Sequence, residues 1–412
     1  MAENFVDRWV APEIRLLGRS VCAFRACGYT GLTSAFLVAA GLVICQGLSL
    51  LVLTYITLGA CLTFLLLAAA TKVVTGEEQL IYYHHEVAIV SVSALLLRVL
   101  HQPALPYLDV TILGLGMFLA CGRVGCLMVG CCHGRPSEWG IRYRAEHAAA
   151  GFPHYLVGVR LFPIQAVESL AVFCTVIVGS VFVLKGDPPG TALAWYVAAY
   201  GSARFCFEFA RGDTDRPYLR GFSEAQWTSM LLMTGVLWAE LIGFLPFQVW
   251  HFWVGATLIV IMLGVTVCRR FTSTSKYRLL HPRHVEEVAN TLQALSDGST
   301  LSGSARLHKA SGAPMRVVRT SLGIQMSSSR IRIDRTWINQ YCLSRETGTL
   351  TEDSAKVLAR LVLQLRHLCG AHELIKGQWN VFHLLVRAPD SASNGVDDLA
   401  HDRNPASYRS PT

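Results

Sequence analysis

Charged residues are scarce in this sequence. Only 16% of its 412 residues are Asp, Glu, Lys or Arg, whereas 52% are hydrophobic. In soluble globular chains, about a quarter of all residues are usually charged. This scarcity excludes a wholly soluble chain and predicts a polytopic membrane protein that carries a smaller soluble part.

The sequence also lacks any basic cluster with interleaved aromatic residues. Its formal net charge of +8 is therefore no sign of nucleic-acid binding, and the anionic headgroups of membrane lipid are the more natural counter-charge. Thirteen cysteines are scattered along the chain, most of them inside apolar segments, where they act as small apolar residues. This distribution predicts no disulfide framework.

Eight apolar runs approach or reach the ~20 residues that a helix needs to cross a bilayer. They cover residues 29–48, 50–71, 80–100, 109–132, 163–184, 190–211, 224–244 and 247–268. We expect an all-α polytopic membrane protein with seven or eight transmembrane helices, because either of the last two runs could be re-entrant. Arg269 and Arg270, followed by Lys276 and Arg278, end the last run, and the positive-inside rule then places the C-terminal part in the cytoplasm.

The chain changes character after the last apolar run. Residues 285–295 have helical spacing, residues 317–334 alternate weakly like one or two strands, and residues 374–386 read as a strand or strand pair. Thr351, followed by two acidic residues, is a good N-cap for an amphipathic helix that extends to Cys369. We expect a membrane domain at 1–270, a small soluble α+β domain at 277–388 and a disordered tail at 389–412.

Arg123 lies in membrane-grade apolar sequence with no acidic residue within seven positions. An arginine at that depth costs at least ~2.5 kcal/mol and normally faces a bundle interior or wet cavity, where it meets an anion. Gly122, Gly125 and Gly130 remove side chains around it and would let backbone or ligand come close. Phosphate fits a guanidinium fork, while pairing with a helix-end carbonyl or an acid on another helix is the structural alternative.

Four polar residues stack along one face of the sixth run. Tyr200, Arg204, Glu208 and Arg211 follow each other at spacings of four, four and three residues. This stripe and Arg123 are predicted to line one polar cavity. The alternative is an Arg204–Glu208 pair that neutralises itself and only holds the bundle together.

Weaker patterns lie in the third and fifth runs. Gln165 and Glu168 share a helix face and could orient an arginine from a neighbouring helix, although capping of the helix start explains them equally well. His84, His85 and Glu86 follow no HExxH pattern, and adjacent histidines point to different helix faces, so interfacial solvation is expected, with one histidine as a possible base.

Three cysteines and a histidine cluster after the fourth run. Cys126, Cys131, Cys132 and His133 do not have the spacing of a zinc finger or a CxxC motif. Small apolar packing is the expected role of these cysteines, and no metal site is predicted.

Over roughly residues 28–227 these segments resemble the prolipoprotein diacylglyceryl transferase family. The family signature, approximately G-R-x-G-N-F-x-N-x-E-x-x-G, is matched by Gly122, Arg123, Gly125 and Gly134. Its Y-G-x-x-R-F-x-x-E-x-x-R segment is matched by Tyr200, Gly201, Arg204, Phe205, Glu208 and Arg211. The family's H-P-x-Q-L-Y-E segment is matched by Pro163, Gln165 and Glu168, and its S-x-G-Q-W segment by Ser223, Gln226 and Trp227. Its H-G-G segment is matched by His84 alone, and its first-helix tyrosine by Tyr29.

Several polar positions of the family pattern are replaced. Cys126 and Val129 stand at the two signature asparagines, Cys131 at the glutamate and Phe162 at the histidine before proline. The arginines are kept, whereas the polar residues that support them are partly lost. The resemblance has no counterpart for the soluble part after about residue 277.

The resemblance implies an enzyme of the bacterial plasma (inner) membrane. It would move the diacylglyceryl group of phosphatidylglycerol to the thiol of a prolipoprotein lipobox cysteine and release glycerol phosphate, without cofactor or metal. The catalytic residues would be Arg123, Arg204, Tyr200, Glu208 and His84. The substrate-binding residues would be Tyr29, Gly122, Gly125, Gly134, Gln165, Glu168 and Arg211.

Two alternatives stay open at this stage. A related membrane lipid transferase with a different acceptor is favoured by Cys126 and Val129 in place of asparagines. A non-enzymatic membrane protein would keep the inherited bundle and bind a partner through its cytoplasmic domain.

Overall fold

The computed structural model describes residues 5–16, 18–76, 82–214, 216–271, 276–297, 306–310, 313–333, 336–368 and 370–387. Within these ranges the chain forms two compact units that divide at residue 273. The first unit carries the apolar helices and the second carries a β-sheet. The tail predicted to be disordered, 389–412, lies outside the described residues.

The first unit is helical, since a backbone within a membrane must satisfy its polar groups inside each segment. Its helices are α1 (Phe5–Trp9), α2 (Ala23–Cys45), α3 (Leu50–Thr75), α4 (Tyr82–Val99), α5 (Ala104–Val129), α6 (Ala145–Ala149), α7 (Ile164–Lys185), α8 (Thr191–Phe207), α9 (Glu224–Leu241) and α10 (Val249–Phe271). Three two-stranded antiparallel sheets lie in the connections between them: β1 (Glu13–Leu16) with β2 (Arg19–Cys22), β3 (Pro136–Arg142) with β4 (Arg160–Leu161), and β5 (Tyr218–Leu219) with β6 (Phe222–Ser223).

Each of the eight predicted apolar runs contains a helix, which confirms the polytopic membrane fold. The sixth run was predicted too long: α8 ends at Phe207, so Arg211 does not lie on the predicted helix face. In the part of the chain that the structure describes, five helices are long and apolar enough to cross a membrane: α2, α3, α5, α7 and α10. The other three, α4, α8 and α9, are 17 or 18 residues long. The number of spans, seven or eight, stays a prediction.

Helix α5 packs against α2, α4, α7 and α8. A Cβ at Gly116 would lie 2.6 Å from the ring of Tyr196 on α8 and 2.7 Å from Val176 on α7, so only glycine allows this approach. Near the start of α5, Asp109 accepts the backbone N–H groups of Gly190 at 2.6 Å and Leu193 at 2.7 Å. This buried carboxylate caps α8 and fixes it to α5.

The polar segment after α5 forms a small head. It consists of β3, α6, a short 3-10 helix (His154–Leu156) and β4. Tyr143 is buried in it and donates its hydroxyl hydrogen to the carbonyl of Leu127 on α5 at 3.2 Å. The head is therefore attached to the C-terminal end of the helix that carries Arg123.

The second unit is an α+β domain. It contains α11 (Lys276–Leu279), α12 (Pro282–Asp297), α13 (Glu352–Leu365) and six strands: β7 (Arg306–Ala310), β8 (Ala313–Arg319), β9 (Ile324–Ile333), β10 (Thr336–Arg345), β11 (His372–Lys376) and β12 (Phe382–Arg387). The strands form one antiparallel sheet in the order β11-β12-β10-β9-β8-β7. Helix α12 packs against β8, β9 and α13.

The sequence predicted this unit only in outline. Helix α12 and the N-cap are confirmed, because Thr351 Oγ1 accepts the backbone N–H of Ser354 at 3.3 Å. The helix that follows ends at Leu365, earlier than the predicted end at Cys369, which lies outside the described residues. Strands β7 and β10 were missed, since polar residues such as Gln340 interrupt the apolar pattern of β10.

Candidate functional site

Arg123 lies near the C-terminal end of α5 and is only 7% exposed. Its Nε is 3.1 Å from Oε2 of Glu168, which comes from the first turns of α7 and is 1% exposed. A buried arginine without a partner would be costly, and a carboxylate from a neighbouring helix meets this need. The expectation that Glu168 orients an arginine of another helix agrees with this contact.

A second arginine reaches the same carboxylate from α8. Arg204 Nε lies 3.6 Å from Oε1 of Glu168, and Tyr200 donates its hydroxyl hydrogen to that oxygen at 3.0 Å. Three helices, α5, α7 and α8, thus meet at one carboxylate. The negative charge of Glu168 is shared between two guanidinium groups, which reduces the repulsion between them.

The ion pairs continue beyond the end of α8. Arg204 Nη1 lies 2.6 Å from Oε1 of Glu208, and Glu208 also pairs with Arg216. Arg211 binds Asp213 through Nε at 3.0 Å and Nη2 at 3.1 Å, while Arg216 donates to the same carboxylate. We call this connected set the arginine network; its members are Arg123, Glu168, Tyr200, Arg204, Glu208, Arg211, Asp213 and Arg216.

The arginine network carries an excess of positive charge. Four guanidinium groups face three carboxylates within the described residues, which leaves one positive charge without a counter-charge. Nη1 of Arg211 is buried and has no hydrogen-bond partner in the same ranges. In a site of low dielectric, such an excess favours the binding of an anion far more than it would in water.

The loop that carries Arg211 is fixed to the segment after α5. Gly134 and Arg211 form an antiparallel bridge, and Gly212 donates its N–H to the carbonyl of His133 at 2.8 Å. A Cβ at Gly134 would overlap the carbonyl oxygen of Phe162. Only glycine therefore allows the three backbone segments to meet here.

Asp213 lies in the loop after α8, outside the membrane-spanning helices. Burial alone would raise the pKa of its carboxyl, but the guanidinium groups of Arg211 and Arg216 outweigh burial and hold this pKa below its ordinary value. The carboxylate therefore stays ionised at neutral pH and keeps both arginines in place.

Gln165 holds the turn that follows α5. Its Nε2 donates to the carbonyl of Cys131 at 2.9 Å and to the hydroxyl of Tyr143 at 3.3 Å. Its predicted neighbour on the helix face, Glu168, takes part in the arginine network instead. The two residues therefore support the same region through different contacts.

The three glycines around Arg123 have different surroundings. A Cβ at Gly125 would lie 3.1 Å from both Phe24 and Cys27 of α2. A Cβ at Gly130 would lie 2.8 Å from Phe152. Both glycines thus allow close packing, and at Gly125 the backbone of α2 comes close as expected, with Phe24 Cα 3.2 Å from the built Cβ. Only Gly122 has no atom within 4 Å of a built Cβ.

Two predicted site residues lie outside the arginine network. His84 Nε2 is 2.8 Å from Oε1 of Glu224, in a pair whose side chains are 51% and 39% exposed. Tyr29 on α2 is 70% exposed. Neither side chain is part of the buried cluster that Arg123 and Arg204 form.

Three residues near the site were not predicted from the sequence. Arg216 and Asp213 belong to the network, and their signal was the charged GDTDR segment directly after the helix stripe. Tyr83 stacks on Tyr200 with ring centroids 6.1 Å apart and shares a hydrogen bond of 3.0 Å with Ser229. No spacing rule connects Tyr83 with α8, because the contact joins distant helices.

Three thiols converge beside the site. The Sγ atoms of Cys126, Cys131 and Cys132 all lie within 4.8 Å of one another. Their sequence spacing predicted only small apolar packing, because it matches neither a zinc finger nor a CxxC motif. Among the described residues they are the group whose chemistry suits a metal ion.

Comparison with known proteins gives the family. Residues 38–242 match the family model described as prolipoprotein diacylglyceryl transferase. This part of the chain belongs to that family. Every residue of the arginine network lies within the matched range, whereas Tyr29 and the second unit lie outside it.

Individual relatives support the same assignment over shorter stretches. A protein of Dehalococcoides mccartyi named phosphatidylglycerol–prolipoprotein diacylglyceryl transferase is 31% identical over 126 residues, which are 31% of this chain and 46% of that protein. A protein of Clostridium perfringens with the same name and the number 2 is 30% identical over 129 residues, which are 31% of this chain and 48% of that protein. The chain spans about half the length of the curated relatives it matches.

Proposed function

We propose that the chain moves the diacylglyceryl group of phosphatidylglycerol to the thiol of a lipobox cysteine in a prolipoprotein. The observation that carries the proposal is the arginine network, a buried set of ion pairs with one positive charge in excess. A phospholipid phosphate supplies the missing negative charge, and guanidinium groups bind phosphate oxygens in pairs. The names of the relatives support the choice of lipid donor and protein acceptor.

In the proposed reaction the sulfur of the acceptor attacks the glyceryl carbon that bears the phosphate ester. A C–S bond forms while the C–O bond breaks, and the bonding electrons leave with the oxygen as glycerol phosphate. Negative charge therefore grows on the phosphate during the step. Cations that are already in place stabilise this charge without reorganisation, and this electrostatic effect is usually the largest in such catalysis.

Arg123 and Arg204 would bind the phosphate through N–H groups that are not directed at Glu168. Glu168 and Glu208 would hold these guanidinium groups in position, and the hydroxyl of Tyr200 would fix Glu168. Arg211 would extend the cationic surface, since its Nη1 has no hydrogen-bond partner among the described residues.

His84 would accept the proton of the acceptor thiol, with Glu224 orienting its ring. Tyr29 lies on the exposed surface of α2 and Gly122 has open space beside it, so both would line the approach of lipid. Gly125, Gly134 and Gln165 would act indirectly, by fixing the backbone around Arg123.

The enzyme would act in the bacterial plasma (inner) membrane as a multi-pass protein. The relatives are bacterial proteins. Arg269 and Arg270, at the end of α10, support a cytoplasmic position for the second unit under the positive-inside rule.

A related transferase with a different acceptor is the second candidate. It is favoured by one observation: Cys126 and Cys131 stand where the family pattern has an asparagine and a glutamate, and both thiols lie beside Cys132. A changed set of groups in this place would alter the acceptor and leave the arginines for the lipid phosphate untouched.

The test is a transfer assay with the purified full chain in detergent. Phosphatidylglycerol labelled in its acyl chains is supplied with a lipobox peptide, a matched peptide with serine in place of the cysteine, and a small set of other thiol peptides. We expect label on the lipobox peptide alone, with release of glycerol phosphate. Arg144→Ala serves as a control variant, because Arg144 forms an exposed pair with Glu146 outside the arginine network.

Each outcome decides between the candidates. Label on another thiol peptide but not on the lipobox peptide would replace the proposal with the second candidate. No release of glycerol phosphate in the presence of any acceptor would contradict both and leave a non-enzymatic role.

A further inference from the structure

The C-terminal end of α5 gathers three thiols that the proposed reaction does not use. Cys126 lies in the last turn of the helix, and Cys131 and Cys132 follow Gly130, where the chain turns back. All three Sγ atoms lie within 4.8 Å of one another. Cys126 is buried, Cys131 is exposed and Cys132 is half-buried, so the cluster reaches from the interior of the unit to its surface.

The backbone of this turn has an unusual conformation. Gly130 has φ 86° and Cys132 has φ 54°. A left-handed backbone is uncommon for a residue other than glycine, asparagine or aspartate, and such residues concentrate at ligand sites. Within this turn the thiols of Cys132 and Cys126 lie within 4.8 Å of each other.

The turn is also held from several sides. Gly130 donates its N–H to the carbonyl of Cys126 at 2.9 Å, and Gln165 donates to the carbonyl of Cys131 at 2.9 Å. Gly212 donates to the carbonyl of His133 at 2.8 Å. The three thiols are therefore presented by a backbone that is fixed before any ligand arrives.

We propose that Cys126, Cys131 and Cys132 form a site for a thiophilic metal ion of the zinc class. Zinc binds thiolate sulfur at about 2.3 Å, which places the sulfurs of a tetrahedral site about 3.8 Å apart. The observed thiols, within 4.8 Å of one another, are close to this spacing. Soft thiolate ligands select zinc and copper(I) over magnesium or calcium. The site would differ from the family pattern, which has no cysteine at the positions of Cys126 and Cys131.

The charges around the cluster suit this occupant. Three thiolates and a divalent ion make a complex with a net charge of −1, and Arg123 and Arg211 both act electrostatically on Cys132. The anionic complex is therefore stabilised where a bare cation would be repelled. A single disulfide would use only two of the three thiols and would add no negative charge beside these arginines.

The bound ion would fix the end of α5 to the following turn. This turn leads to Gly134, which bridges to Arg211, and the helix itself carries Arg123. The ion would thus hold two arginines of the network at a constant distance. The proposal does not depend on the reaction proposed above, because it concerns only the binding of metal to this chain.

The experiment uses the purified full chain in detergent under reducing conditions. Metal is removed with a chelator, and zinc is added back in competition with a chromophoric chelator while bound metal is counted by mass spectrometry. We expect one zinc per wild-type chain. Each of Cys126→Ser, Cys131→Ser and Cys132→Ser should weaken binding more than ~100-fold, beyond the 10–100-fold typical of changes to groups that only support a ligand.

The matched control is the double variant Cys174→Ser with Cys206→Ser, since both of these thiols are exposed and lie on other helices. It should bind zinc like the wild type. Cobalt(II) should give the sulfur-to-metal charge-transfer absorption of a thiolate site in the wild type and in this control, but not in the single variants.

A second measurement needs no mutation. Zinc should protect Cys131, which is exposed, from alkylation in the wild-type chain, while the exposed Cys174 reacts at an unchanged rate. Absence of stoichiometric zinc, or zinc binding that survives all three substitutions, would overturn the proposal. So would a disulfide between two of the three cysteines that persists under the reducing conditions of the assay and blocks zinc uptake.

Discussion

Glu168 is the group on which the arginine network depends most. Its two oxygens face Arg123 at 3.1 Å and Arg204 at 3.6 Å, and the hydroxyl of Tyr200 donates to it at 3.0 Å. The change Glu168→Gln keeps the shape of this side chain and removes its charge. Arg123 then has no carboxylate partner among the described residues, and Arg204 keeps only Glu208.

The expected cost follows from this geometry. Removing one partner of a buried ion pair costs about 3–5 kcal/mol, because the remaining charge stays buried. Glutamine still accepts the hydrogen bond of Tyr200, so we expect the lower end, about 3 kcal/mol. For a unit of this size that corresponds to a fall in Tm of about 6–12 °C.

The assay is the intrinsic tryptophan fluorescence of the detergent-solubilised chain during heating. Glu146→Gln is the control: Glu146 lies 2.8 Å from Arg144 in a pair whose side chains are 45% and 50% exposed, so its loss should cost less than about 1 kcal/mol. A Glu168→Gln chain whose Tm matches that of the control would refute the reasoning, since the two arginines would then need no buried counter-charge.

Three further outcomes are expected. Gly134→Ala should lower the free energy of unfolding by about 1–3 kcal/mol, and with it Tm, because the added Cβ would overlap the carbonyl oxygen of Phe162. Gly122→Ala should leave Tm unchanged, because there is open space beside Gly122. The carboxyl of Asp213 has a pKa below its ordinary value of ~4, so its ionised form stabilises the fold at any pH above ~4. The difference in Tm between wild type and Asp213→Asn should therefore narrow as the pH falls below ~4. A Tm difference that stays constant with pH would contradict this. A reporter fused after Lys276 should be cytoplasmic, and an external signal would refute the orientation.

The membrane helices could be predicted because one property suffices for them. An apolar run of about 20 residues has few ways to satisfy its backbone other than a helix. The same logic predicted the pairing of Arg204 with Glu208, since residues four positions apart meet on one helix face. These inferences need only local sequence.

The sequence indicated that Glu168 could orient an arginine of a neighbouring helix, but it did not indicate which arginine. Glu168 comes from another helix, and its second oxygen serves Arg204 from a third helix. Only the packing of α5, α7 and α8 determines that these side chains meet. The contribution of Arg216 was missed for a similar reason, because it lies in a loop whose path no periodicity describes.

The thiol cluster shows the limit of spacing rules most clearly. Cys126 and Cys132 lie on either side of a turn with left-handed backbone at Gly130 and Cys132, and no spacing rule specifies this turn. The sheet of the second unit shows the same limit, since the central position of β10 depends on pairing with both β9 and β12.

The central claim is that the arginine network binds the phosphate of the lipid donor, and Arg123→Ala tests it most directly. The measurement is the rate of diacylglyceryl transfer to a lipobox peptide under single-turnover conditions, with Tm and monodispersity of the same sample as the check on folding. We expect a folded chain whose rate falls at least ~100-fold, on the scale of removing one preorganised donor from a charged transition state. A folded Arg123→Ala chain that transfers the group at the wild-type rate would contradict the account.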